Sequence, residues 1–395
     1  MDRKRMQPFY LIFLTGYLAY ATIYIARLNF SVAATIYEAE GILQKAQIGL
    51  IGSVFSLTYA ISKIPNGILG DRFQPRKVIV AGLLITGFSN LGVSFFPEAT
   101  AILILWGLNA IGQSMLWGPV LRVCVEKAPE NRKSFFGQMM LSSVGVGSVL
   151  GLLIVSHCST RFGLETCFRI PALFSFTAAG LVWLFLPGDC PCRHDNNIDL
   201  MMEMKRLFAD REFCRMLLPA VSHGVIKENV NVWLALYCMN VYGVHLEELT
   251  GYIFFIPAFS LLGRFLYPLA RKVVKRDDYV SVLSFGLCTV GASLLCVHMS
   301  HVFIAMGILG AISAFIAMVN THLLSVVPEH FLSIGNLSFA ASFMDFLTYA
   351  GAGIGSALFG IMIPHYGYQS MFLFWGVISV CSMLCLLWRK GEKKE

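Results

Sequence analysis

The chain has 395 residues, 56% of them apolar and only 13% charged, with a formal net charge of +7. That is more hydrophobic side chain than one soluble core of this size can hide, so lipid must cover much of it. The basic balance does not point to nucleic acid, because the placement of Lys and Arg between apolar runs accounts for it.

The start, Met1 to Met6, is basic, and the apolar run after it is long, carries Arg27 and lacks a small-residue cleavage pattern. It therefore reads as a first span rather than a signal peptide. Apolar runs predict spans at 8–35, 47–70, 76–96, 99–126, 133–157 and 168–187, and six more at 213–240, 249–271, 278–298, 302–327, 333–362 and 368–388. Runs this long and continuous exclude the alternating pattern of a transmembrane β-barrel and leave helices as the spanning elements. Gly188 to Glu212 is the one extended polar stretch, and within it Met201 to Phe208 reads as a short amphipathic surface helix. The expected organisation is an all-α membrane protein with a six-helix bundle over 1–187, a central cytoplasmic loop over 188–212 and a second six-helix bundle over 213–395. One set of segments, comprising both ends, the central loop and alternate short loops, holds 21 of the 30 Lys and Arg, while the other holds Lys45, Arg161 and Arg169. Both termini are therefore expected in the cytoplasm, with the chain crossing the inner (cell) membrane as a monomer.

Most of the 11 cysteines lie inside apolar runs, where cysteine packs as a small hydrophobe. Cys190, Cys192 and His194 lack the spacing of a zinc site, and no metal is expected. Cross-linking is the minority reading, and Cys158 and Cys167, which flank a short loop expected to be external, are the pair a disulfide would join.

Basic side chains remain within or at the edges of spans: Arg27, Lys63, Arg122, Arg215, Lys227 and Arg264. Arg27, Lys63 and Lys227 are deep, and a charge at helix centre costs roughly 2.5–3.5 kcal/mol on insertion scales, which points to an aqueous cavity or an ion pair. Tyr17, Tyr20, Tyr24, Arg27 and Ser31 recur at three and four residues and so form one polar, aromatic stripe on the first helix. His223, Lys227 and Asn231 repeat the pattern in the seventh span. One deep cation from the first helix of each half is what a site for a small anion needs. The membrane acids Glu228 and Asp345 serve either as ion-pair partners, Asp345 for Lys227 and Glu228 for a neighbouring helix, or in proton coupling.

Three motifs resemble those of the organophosphate:phosphate antiporter family of the major facilitator superfamily. YATIYIARLNF (Tyr20 to Phe30) is similar to the family's first-helix segment, and SKIPNGILGDRFQPR, with Lys63, Gly67, Asp71, Arg72 and Arg76, to its loop between helices two and three. QSMLWGPVLR, with Gln113 and Trp117, is similar to its fourth-helix stretch, and Lys227 and Trp233 fill the family's seventh-helix places. His322 falls where some relatives also have a membrane histidine. The resemblance implies twelve helices in two pseudo-symmetric halves, a solute phosphate held by the deep cations, and alternating access. It places Arg27, Lys63, Lys227, Tyr20, Tyr24, Gln113, Trp117 and His322 at the binding site, and Gly67, Asp71, Arg72 and Arg76 in a gating loop. Departures are Lys227 for arginine, Ser142 for a histidine, Leu28 for a basic residue, and the lack of an acid matching Asp71 in Arg264 to Arg276. The expectation is a secondary transporter of a small anion, driven by counter-flow of phosphate or by a proton gradient, or else a sensor of the same fold. No nucleophile elbow, zinc-ligand pair or phosphate-cradling loop marks an enzyme, and no cofactor is expected.

Overall fold

The computed structural model describes residues 3–188, 200–244, 246–297, 299, 301–333 and 336–388, and among these the regular structure is helical, with no strand. Twelve spans are numbered here, with short surface helices left unnumbered. The first half comprises α1 (Arg3–Ala39), α2 (Lys45–Arg72), α3 (Pro75–Phe95), α4 (Ala99–Ser114, continued by Trp117–Lys127), α5 (Lys133–Met140, continued by Ser142–Phe162) and α6 (Thr166–Phe185). The second comprises α7 (Leu217–Tyr242), α8 (Leu246–Val274), α9 (Asp277–Leu295), α10 (Val302–Thr321, extended by a π turn, His322–Val326), α11 (Leu337–Tyr366) and α12 (Tyr368–Leu387). Among the described residues nine spans are long and apolar enough by composition alone to cross a membrane. The other three, α2, α7 and α8, carry Lys63, Lys227 with Glu228, and Arg264 in their interiors. The surface helix, Leu200–Ala209, forms where its amphipathic pattern predicts.

Two predicted straight spans are broken. The α4 break at Met115 and Leu116 lies four residues before Pro119, whose ring denies Met115 a donor and crowds its carbonyl. The α5 break at Leu141 has no proline; there Ser142 Oγ and Ser143 Oγ donate to the carbonyls of Met139 (2.8 Å) and Met140 (2.6 Å), a back-bonding that bends helices.

By compactness the chain forms two units, Met1–Glu203 with Pro328–Phe343, and Met204–Val327 with Met344–Glu395, so α11 begins in the first and continues in the second. Inside each unit one helix pair packs backbone against backbone. A Cβ on Gly147 of α5 would lie 2.3 Å from Ala21 O of α1, and one on Gly351 of α11 would lie 2.3 Å from Val221 O of α7. One turn on, Gly151 faces Ile25 and Gly355 faces Val225. Ala21 and Val221 are 200 residues apart, as are Ile25 and Val225; the facing glycines are 204 apart. The halves thus repeat one crossing, and small residues permit it where lipid gives no hydrophobic drive to helix association.

Candidate solute-binding site and gating loop

The repeated register fixes where the deep cations stand. Arg27 comes six residues after Ala21, and Lys227 six after Val221. Two residues further, Asn29 and Asn229 are both fully buried. Asn29 Nδ2 donates to Cys167 O (2.9 Å) and Asn90 Oδ1 (2.8 Å), while Asn229 Nδ2 donates to Val225 O (2.8 Å) and Ala352 O (3.3 Å).

Around the half-buried Arg27, α1, α2 and α4 supply rings and one amide. Its guanidinium carbon lies 5.0 Å from the Tyr24 ring centroid, 5.1 Å from Phe55 and 4.4 Å from Tyr59. Lys63, fully buried, places Nζ 4.6 Å from the same Tyr59 ring. The quadrupole of that ring lets two like charges share one shelf. Arg27 Nε donates to Gln113 Oε1 at 2.9 Å. Gln113 Nε2 donates to Ala26 O and Asn109 Oδ1, each at 3.1 Å, and Asn109 Nδ2 donates to Ala26 O at 3.0 Å. Since a carbonyl only accepts, this chain of bonds fixes the Gln113 amide with its oxygen toward Arg27. Gln113 and Trp117 are fully buried, and Trp117 packs on Tyr20 (4.8 Å between centroids), which meets Tyr24 at 5.7 Å. Both therefore back the stripe rather than face an open cavity. Tyr17 Oη lies 2.8 Å from Ser142 Oγ, so the stripe continues onto α5.

On α7, Lys227 Nζ lies 2.9 Å from Glu228 Oε1 and 5.5 Å from the Tyr349 ring centroid. The reading that Glu228 serves another helix is corrected: the long adjacent side chains bend toward each other. Asp345 is buried on α11, one turn before Tyr349. The side chain of Asn231 and the Cys190, Cys192 and His194 group lie outside the described residues. His322 Nδ1 is 2.7 Å from Ser281 Oγ and Nε2 is 3.8 Å from Asp278 Oδ1, whose partner oxygen accepts from Arg215 at 2.9 Å. Asp278 is the second residue of α9, and Arg215 just precedes α7. His322 thus stands level with the start of α7, whereas Lys227 is ten residues in, about 15 Å along the axis at 1.5 Å per residue.

The loop motif assembles at one end of the first unit. Asp71 accepts from the backbone N–H of Ser338 (2.9 Å, Oδ1) and Phe339 (2.8 Å, Oδ2), in the first turn of α11. A carboxylate there meets orphan donors and the positive end of the helix dipole. Arg122 Nη1 donates to Gly70 O (2.9 Å) and Asp71 O (2.8 Å), capping α2. Gly67 has no room for a side chain, since a Cβ would lie 2.7 Å from Ser342 Cβ. Arg72 pairs with buried Glu203 at 3.5 Å, and the Arg76 guanidinium lies 4.7 Å from the Trp183 ring. Cys158 and Cys167 are free thiols; Cys167 is spent on packing, fully buried.

Sequence reasoning missed Phe55 and Tyr59, although Phe55, Tyr59 and Lys63 stand four residues apart on α2, and missed the Asn29 and Asn229 match.

The family model described as Major Facilitator Superfamily matches residues 16–333. The chain belongs to the major facilitator superfamily. A phosphoglycerate transporter protein of Salmonella typhimurium is 25% identical, with 98% of this chain and 90% of that protein covered. The membrane sensor protein UhpC of Escherichia coli is 38% identical over 38% of this chain and 35% of its own length. The solved structure of the superfamily transporter FucP in the outward conformation superposes with a TM-score of 0.78 at 16% identity, covering 99% of this chain and 100% of that one. The fold is the twelve-helix superfamily fold with two pseudo-symmetric halves, and the resemblance drawn from the motifs holds.

Proposed function

We propose that this superfamily member carries a small phosphorylated, or otherwise anionic, metabolite across the inner membrane in exchange for inorganic phosphate. The carrying observation is the matched register: one cation per half, Arg27 and Lys227, each six residues beyond a glycine-marked crossing. The similarity to a phosphoglycerate transporter supports a phosphorylated solute. In this reading Arg27 grips the anion with Lys63 adding charge from the shared Tyr59 shelf, and Tyr20, Tyr24, Gln113 and Trp117 hold the guanidinium in place. At Lys227 the anion competes with Glu228, whose carboxylate lies 2.9 Å from Lys227 Nζ. Alternating access proceeds by movement of the six-helix halves, 1–187 and 213–395, with the Asp71 and Arg72 contacts as the gate and both termini cytoplasmic. The chain works as a monomer without a cofactor.

Proteoliposomes loaded with phosphate test this. Labelled 3-phosphoglycerate, glycerol 3-phosphate or a hexose phosphate should enter against phosphate, and Arg27→Ala should abolish entry. If phosphate loading makes no difference while an imposed pH gradient drives uptake, the chain is instead a proton symporter of organic anions acting through Glu228 or Asp345, a reading the Lys227 and Glu228 pair favours. Binding without flux would identify a sensor, as UhpC is named.

A further inference from the structure

The halves agree at the crossing carbonyls, the cations and the asparagines, and they differ at a buried pair on the same two helices. Position 23 on α1 is isoleucine and position 144 on α5 is valine, both buried. At the corresponding places, 200 and 204 residues on, stand His223 and Thr348. Polar groups inside a membrane protein are expensive, and such a pair where symmetry supplies an apolar one asks for a purpose.

The hydrogen bonds fix the tautomer of the ring. Thr348 Oγ1 donates to Met344 O at 3.1 Å, which uses its only proton. Toward His223 Nδ1, 3.3 Å away, that oxygen can then only accept. Nδ1 therefore carries the ring hydrogen and Nε2 presents a lone pair. His223 is fully buried, and Nε2 meets no hydrogen-bond partner. A buried acceptor left empty is destabilising, and such groups in native structures point to a water, an ion or a ligand.

The surroundings select among these. Lys227 follows one helical turn later on the same face of α7, beside Glu228 and 5.5 Å from the Tyr349 ring of α11, and Arg264 of α8 lies within electrostatic range of the His223 ring. Residues 302–321 of α10 and 368–387 of α12 contain no Asp, Glu, Lys or Arg. A lone pair has no use for an ion already served by two cations; it needs a donor. One turn from Lys227, about 5 Å, is also the reach from a phosphate or carboxylate to a hydroxyl one or two carbons away.

We propose that His223 Nε2 accepts a hydrogen bond from a hydroxyl of the solute whose anionic group is held at Lys227, making His223 a specificity-determining residue. The proposal rests on the anion-transport reading above. It is tested with two pairs of probes, glycerol 3-phosphate against propyl phosphate and 3-phosphoglycerate against its counterpart lacking the hydroxyl. Half-saturation for phosphate counter-flow is read as a ratio within each pair and within each protein, so overall rate does not enter. The wild type should favour the hydroxylated member at least about tenfold in one pair. His223→Asn keeps a donor at the place of Nδ1 and deletes Nε2, and should bring that ratio to near one. Thr348→Val, which frees the ring to turn, should reduce it and stands in if His223→Asn does not fold. A wild-type ratio near one in both pairs, or a ratio that survives loss of Nε2, shows that water alone fills the acceptor and overturns the proposal. Absence of phosphate exchange by the wild type would instead strike the antiport reading; the same ratios are then taken from ligand-induced thermal shifts of the purified protein.

Discussion

Asp71→Asn isolates what the loop carboxylate does. Asp71 uses both oxygens, Oδ1 on the N–H of Ser338 and Oδ2 on that of Phe339, and is itself buried. Asparagine offers one oxygen, so one of the two N–H groups must face an amide NH2, donor against donor. An unsatisfied buried donor costs about 1–3 kcal/mol. Loss of the negative charge at a helix N-terminus adds about 0.3–1 kcal/mol, and up to about 2 in a partly buried site. The expected loss is therefore about 1–5 kcal/mol, although Asp and Asn are nearly identical in shape. Thermal unfolding of purified protein in detergent, followed by tryptophan fluorescence, should show a lower midpoint for Asp71→Asn than for the wild type. Asp71→Ala, which strands both donors, should fall at least as far. An Asn variant as stable as the wild type, alongside an Ala variant that is not, would show that shape and not charge holds α11 to α2, and would refute the reasoning.

Gln113→Leu removes the acceptor of Arg27 Nε, a bond to a charged group worth about 1.5–3 kcal/mol, and should weaken phosphate binding roughly 10- to 100-fold in equilibrium binding assays. Gly147→Val would drive a Cβ to 2.3 Å from Ala21 O and should cost about 1–3 kcal/mol or more in unfolding, whereas Gly180→Val, with open space around it, should be near neutral. Glu228→Gln releases Lys227 from its carboxylate and should tighten phosphate binding if the chain exchanges phosphate; if protons drive it, the same change should abolish uptake down a pH gradient.

The spans were legible because a membrane forces every crossing segment into one apolar, helical solution, so even the surface helix at Leu200–Ala209 announced itself by its pattern. The deep cations were legible for the same reason, since a charge in such a segment stands out. What stayed hidden depended on which way side chains turn. Tyr59 looks like any interfacial tyrosine until two cations are found on its ring. His322 shares the polarity of a binding residue, but its place level with the start of α7 follows from the π turn and from Asp278, neither of which a span prediction contains. The Lys227 and Glu228 pair escaped a reading based on ideal helical angles, because flexible stems of three and four bonds outrun a 100° separation.

One inherited register supports two unlike cation environments. In the first half Arg27 is steadied by rings and a neutral amide, groups that orient a guanidinium without cancelling its charge. In the second, Lys227 is steadied by a carboxylate, which does cancel it. An anion arriving at Lys227 must first compete with Glu228. The 2.9 Å separation gives Glu228 a strong Coulomb hold on Lys227 that such an anion would have to match. The two halves therefore surround matched positions differently, rings and an amide at Arg27 of α1 and a carboxylate at Lys227 of α7, the latter one turn from a polar pair, His223 and Thr348, where the first half has Ile23 and Val144.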